Sequence, residues 1–209
     1  MVARSRSLLA SAVLFACLAA PVASPATERN PHPLVIDPAG DGGNFVGTEA
    51  SPRRTDVLEV DLTDTPTTLT YSMKVVELDD AYTSLQDAVN PRGHDDYLIH
   101  AFIGTARLSV VATRDPETGA SSFEFYVVTS GGRYSGSYAV PGSFDSTTDT
   151  VTIAVPVTLV QALYPSFGKG TVITGIQSFA RSYRRQFSSS VTSPADVADD
   201  PDARYVVGR

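Results

Sequence analysis

The residues able to do chemistry in this chain are few. His32, His94 and His100 are its three histidines, and Cys17 is its single cysteine. Acids occur in pairs: Asp37 and Asp41 flank a Gly-containing turn, Asp79-Asp80 ends a β-type run, and Asp95-Asp96 precedes another. Calcium takes about six to eight oxygens from carboxylates and loop carbonyls, so Asp37, Asp41, Asp79, Asp80, Asp95 and Asp96 form a candidate calcium set. Their spacing does not follow the helix–loop–helix calcium pattern, and a solvated acidic rim is the competing reading. His94 lies in Pro91-Arg92-Gly93-His94-Asp95-Asp96, read as a polar loop. There His94, Asp95 and Asp96 would supply an acid/base site for hydrolysis, with a solvated loop as the alternative.

Other chemistries find less support. The chain has no Gly-x-Ser-x-Gly elbow, no His-Glu-x-x-His and no Gly-rich phosphate loop. Heme is disfavoured: Met73 and His100 are the right ligand types, but Met73 shares a face with Leu69, Tyr71 and Val75 and reads as core filler. Sugar binding needs stacking platforms; with no Trp, these would be tyrosines such as Tyr82, Tyr97, Tyr134, Tyr138, Tyr164 and Tyr183. Tyr82, Tyr97 and His94 are the candidate ligand-contacting residues. Arg181-Ser182-Tyr183-Arg184-Arg185 is a local basic cluster able to meet an anionic polymer or an acidic partner. A net charge of -7 argues against a nucleic-acid binder working through a basic surface.

The elements that must position these groups read as strands. Thr67 to Leu78 alternates, with Leu69, Tyr71, Met73 and Val75 on one face and Thr70, Ser72 and Lys74 on the other, a period of two. Thr150 to Val155 alternates likewise, Val151, Ile153 and Val155 against Thr152 and Ala154. Tyr97 to Ile103 is apolar on both faces, as a central strand requires. Phe123 to Thr129 and Arg133 to Val140 flank Ser130-Gly131-Gly132, a hairpin signal. Helix is expected only in short pieces, over Ala81 to Val89 and over Val157 to Leu163 after Pro156. About eight strands punctuated by turns, without long helices, specify an all-β antiparallel β-sandwich of jelly-roll or immunoglobulin-like type, with one or two short helices.

The chain ends carry an address and a tail. Residues 1–26 read as a signal peptide: Arg4 and Arg6, an apolar run from Leu8 to about Ala20, then small residues through Ala26. The apolar run is too short to span a bilayer, so a secreted, extracellular protein is expected, with no transmembrane span. Leu14-Phe15-Ala16-Cys17 resembles a lipobox, which makes a lipoprotein anchored through Cys17 the alternative. Cleavage after Ala26 removes Arg4, Arg6 and the only thiol, leaving a more acidic chain without a disulfide. The sandwich then occupies 27–187, with a Pro/Gly-rich entry. Ser188 to Arg209, rich in Ser, Pro, Ala and Asp, reads as a loose tail with a short edge strand over 204–207.

The segments Asp37-Pro38-Ala39-Gly40-Asp41, Asp56 to Val60 and Leu69 to Val76, followed by Gly142 to Asp145, Thr150 to Pro156 and the strand from Gly170, form a pattern over 37–205. It resembles the β-sandwich modules related to DOMON domains and family-9 carbohydrate-binding modules of secreted bacterial proteins. The resemblance implies a non-catalytic binding role, in some members with calcium, sugar or heme; the sugar binders stack on Trp, which this chain lacks. The expected function is an exported, non-enzymatic module that binds a ligand, an extracellular polymer or a protein partner. A secreted hydrolase working through His94, Asp95 and Asp96 is one alternative, and a structural or adhesive surface protein is another.

Overall fold

The computed structural model describes residues 30–40, 53–79, 92–115, 118–186 and 189–208. The signal peptide with Cys17, the Ala81–Val89 helix, Asp41, Asp80 and Tyr82 all lie outside the described residues. Two antiparallel sheets face each other, an all-β sandwich as the alternation requires. The strands are β1 (Val35–Ile36), β2 (Val57–Asp64), β3 (Thr68–Val75), β4 (Arg92–Ile103), β5 (Ala106–Arg114), β6 (Ser121–Val128), β7 (Tyr138–Ala139), β8 (Gly142–Asp145), β9 (Thr150–Pro156), β10 (Val172–Gln186) and β11 (Ser189–Val206). One sheet runs β1-β2-β3-β9-β8 and the other β11-β10-β4-β5-β6-β7. The one α-helix among the described residues, α1 (Val157–Leu163), follows Pro156 on the crossing from β9 to β10. Pro suits a helix entrance because a first-turn N–H has no partner to lose.

The period of two decides which side chains meet. Val60 and Leu62 of β2, Leu69, Tyr71, Met73 and Val75 of β3, and Val151, Ile153 and Val155 of β9 point inward. They pack on Tyr97, Ile99, Ala101 and Ile103 of β4, Leu108, Val110 and Ala112 of β5, and Phe125 and Val127 of β6, in one core. A register shift between Val57 and Glu59 puts both Val57 and Val60 inside although three positions separate them. The Ser130-Gly131-Gly132 turn forms as expected: the Thr129 N–H donates to the Arg133 carbonyl at 3.0 Å and the Gly132 N–H to the Thr129 carbonyl at 2.8 Å. Gly132 takes a φ of +70°, which a side chain would resist.

Two expectations are corrected. Pro91–Asp96 is not a polar loop from residue 92 onward, because β4 begins at Arg92 and pairs with β10 as far as Arg184↔Arg92. The tail expected from Ser188 to Arg209 is not loose over its described strand: β11 runs from Ser189 to Val206 along the whole of β10. Polar composition misleads there because β11 is an edge strand. Half of such a strand faces water, and prolines are tolerated where one side of the backbone needs no partner. Its inward residues Ala198, Ala203 and Tyr205 are buried in the core. The N-terminal entry is tied to it: Asn30 Nδ2 donates to the Val206 carbonyl at 2.9 Å and the Val206 N–H to Asn30 Oδ1 at 2.8 Å.

Candidate functional site

Strand β4 sorts the sequence's acidic pair onto opposite faces. Asp95 points between the sheets, and Asp96 points outward. Asp95 is buried and accepts from Arg54 Nε at 3.0 Å and from the Ser182 hydroxyl. Arg54 NH2 also donates to Ser182 Oγ at 3.2 Å, and the Arg54 carbonyl accepts the Tyr97 hydroxyl at 3.1 Å. This buried network joins the 3-10 turn at Arg53–Thr55, ahead of β2, to β4 and β10 of the other sheet. A second tie across the sheets is Asp196, whose Oδ2 accepts the Val57 N–H at 2.7 Å. Both are bolts of the sandwich, with their polar capacity turned inward.

Tyr97 is therefore not a ligand platform. Its ring is 1% exposed, lies edge-on to Phe144 at 5.6 Å between centroids, and its hydroxyl is spent on Arg54. Burial raises its phenol well above the ordinary value. Asp95 and Asp96 cannot share one ion across the pleat. Asp79 is exposed and paired with Arg114 at 2.9 Å, and Asp37 sits by the β1–β2 edge, where its N–H donates to the Leu58 carbonyl at 2.9 Å. Among the described residues no group of three or more His, Cys, Asp or Glu side chains is placed to hold a metal ion. Met73 is inside the core from one sheet, and His100 is on the outer face of the other.

The outer face of the six-stranded sheet carries the distinctive arrangement. Along β4 its residues are His94, Asp96, Leu98, His100 and Phe102. Opposite them on β10 lie Tyr183, Arg181, Phe179, Gln177 and Thr174, and on β5 Thr113 faces Asp96, Val111 faces Leu98, Ser109 faces His100 and Arg107 faces Phe102. The His94 ring stacks on Tyr183 at 4.5 Å with 24° between planes, and the Arg181 guanidinium lies over the Tyr183 ring at 5.0 Å. Asp96 takes the Thr113 hydroxyl at 2.8 Å, with His94 Nε2 at 3.6 Å and Arg181 NH2 at 3.9 Å. Burial outweighs these partners and raises the Asp96 carboxyl above its ordinary range.

Toward the other end, Leu98 is buried yet lies outside the core. His100 is 9% exposed and Ser109 0%, although both face away from the core. The His100 ring packs on Phe179 at 5.5 Å. Burial, with Arg107 and Arg181 adding repulsion, pushes the His100 imidazole down to about 4, so it is neutral at pH 7. His100 Nδ1, Ser109 Oγ, Arg107 Nε and Arg181 Nε are buried without a hydrogen-bond partner. Buried polar atoms ordinarily find a partner, so these four stand out among the described residues.

A concavity of about 320 Å³ lies on the outer face of the five-stranded sheet. His32, Pro33, Glu59, Asp61, Ser72, Lys74 and Thr150 line it. There His32 Nδ1 bonds both Asp61 carboxylate oxygens, at 2.7 and 2.8 Å.

Comparison with family models, with curated proteins and with solved structures finds no match for this chain. Of the sequence candidates, the site unites His94 with Asp96 and adds Tyr183 and Arg181 from the basic cluster. Arg54, Arg107, Ser109, Thr113 and Phe179 were not singled out in the sequence. The signal was present: extending the strand alternation of Tyr97–Ile103 back to Arg92 puts His94, Asp96 and His100 on one face. The polar residues there, together with Pro91, made that stretch look like loop.

Proposed function

We propose that the protein is an exported, non-catalytic β-sandwich module that binds a ligand or partner across the outer face of its six-stranded sheet. The observation that supports this most is the partly exposed cluster on that face, in which His94 stacks on Tyr183 and the Arg181 guanidinium lies over the same ring. The splitting of Asp95 from Asp96 weighs against the hydrolase reading, since the inward carboxylate is engaged by Arg54. What remains, His94 beside Asp96, has Thr113 as its nearest hydroxyl, already donating to the carboxylate. Secretion rests on the residues 1–26 pattern.

The reading is tested by ligand-screened thermal melting and by titration monitored by tyrosine fluorescence, on wild type and on Tyr183→Ala and Arg181→Ala. Ligands that prefer the native state raise its stability by mass action. A ligand whose shift is lost in these variants, while their unliganded melts stay near wild type, supports the proposal. Ligand shifts unchanged in both variants move binding off this face.

A further inference from the structure

The concavity on the five-stranded sheet lies on the opposite side of the sandwich from the face proposed above and plays no part in that reading. Its volume of about 320 Å³ falls at the small end of ligand pockets. Strand alternation builds it. Glu59 and Asp61 of β2 turn outward beside Ser72 and Lys74 of β3, with Glu59 opposite Lys74 and Asp61 opposite Ser72. Paired strands run about 5 Å apart, so carboxylates stand along one wall and donors along the other.

The acceptor wall is fixed in place. The Asp61 carboxylate takes His32 Nδ1 at 2.7 and 2.8 Å and the Leu62 N–H at 2.8 Å. A carboxylate can only accept, so Nδ1 carries the proton, and the neutral ring leaves Nε2 as a further acceptor. Glu59 and Lys74 oppose each other yet form no ion pair among the described residues, and the Ser72 hydroxyl has no hydrogen-bond partner among them. Thr150 differs, because its hydroxyl already donates to the Thr148 carbonyl at 3.0 Å.

These charges select the ligand. A simple cation would be drawn to Glu59 and Asp61 but repelled by Lys74. A simple anion would be drawn to Lys74 but would meet two carboxylates. A molecule carrying both charges a few ångströms apart suits both walls. Its ammonium offers three donors to Glu59 and His32 Nε2, and its carboxylate accepts from Lys74 and Ser72. Pro33 lines the same hollow, and Ile36, 74% exposed, is level with Glu59, so an apolar substituent has a surface to lie on.

We infer that this concavity binds a small zwitterion of the free amino acid type, its ammonium on Glu59 and His32 and its carboxylate on Lys74 and Ser72.

The test melts the purified protein with each proteinogenic amino acid in turn. The one giving the largest shift is then titrated calorimetrically beside its N-acetyl form, which lacks the ammonium, and its carboxamide, which lacks the carboxylate. Expected are a Tm rise of about 3–6 °C at about tenfold excess over Kd, and binding at least about 10-fold weaker for each blocked form. Glu59→Gln and Lys74→Gln should weaken binding of the parent amino acid by a similar factor, while their unliganded melts stay near wild type, since both side chains lie on the outer face. No shift from any amino acid at about 10 mM, ten times a millimolar Kd, overturns the inference. So does a blocked form that binds as well as its parent. A shift that survives Glu59→Gln but is lost in Tyr183→Ala overturns it too, and places the ligand on the six-stranded sheet instead.

Discussion

Replacing Arg54 by Met is the sharpest perturbation of the fold. It leaves the Asp95 carboxylate between the sheets with its charge uncompensated and Ser182 without one of its donors. The side chains of Arg54 and Asp95 are each 4% exposed, so water cannot make up the loss. Removing one partner of such a pair costs about 3–5 kcal/mol, because the desolvation of the survivor is no longer offset. For a domain of this size about 1 kcal/mol corresponds to roughly 2–4 °C in Tm, which predicts a fall of about 6–20 °C. The single variant also disturbs other contacts of Arg54, so the cycle with Asp95→Leu and the double variant isolates the pair. The double variant should recover much of the loss, since an apolar pair of similar volume often does no worse than a buried ion pair. The assay is equilibrium urea unfolding of all four proteins, read by circular dichroism. An Arg54→Met loss below about 1 kcal/mol, or strictly additive single effects, would refute the placement of this pair as an inter-sheet bolt.

Other outcomes follow from single positions. His100 is neutral when folded, with its imidazole pushed down to about 4, while in the unfolded chain it protonates near pH 6.5. Its contribution to stability is present above pH 6.5 and is lost as pH falls toward 4, so the stability difference between wild type and His100→Gln should shrink over that window; a flat difference would contradict the burial. Asp96 works in the opposite sense: its raised carboxyl contributes below the ordinary carboxylate range and that contribution is lost as pH rises, which Asp96→Asn should remove from a pH series of melts. Tyr71→Phe should leave stability unchanged or raise it by about 1 kcal/mol in urea melts, because the buried hydroxyl has no partner to lose. At Gly142 an added Cβ would lie 2.2 Å from the Phe123 ring, so Gly142→Ala should cost about 1–3 kcal/mol by the same assay.

The sequence by itself determined the fold class and most strands. Alternation in Thr68–Val75 and Thr150–Pro156 is a local property, and burial of one face of each fixes which side chains enter the core. The helix after Pro156 and the Gly131-Gly132 turn were legible because their backbone preferences are local too. Tertiary structure alone decided where the polar residues went. Nothing in adjacent Asp95 and Asp96 says that one meets Arg54 inside and the other Thr113 outside; that depends on the strand beginning at Arg92 and on its register against β10 and β5. The polar Ser189–Val206 segment became a strand because β10 offered a long edge to pair with, a partner fifteen residues long that no local pattern reveals. The candidate site joins β4, β5 and β10, far apart in sequence, and cross-strand neighbours are set by pairing between strands, which single-chain periodicity does not encode.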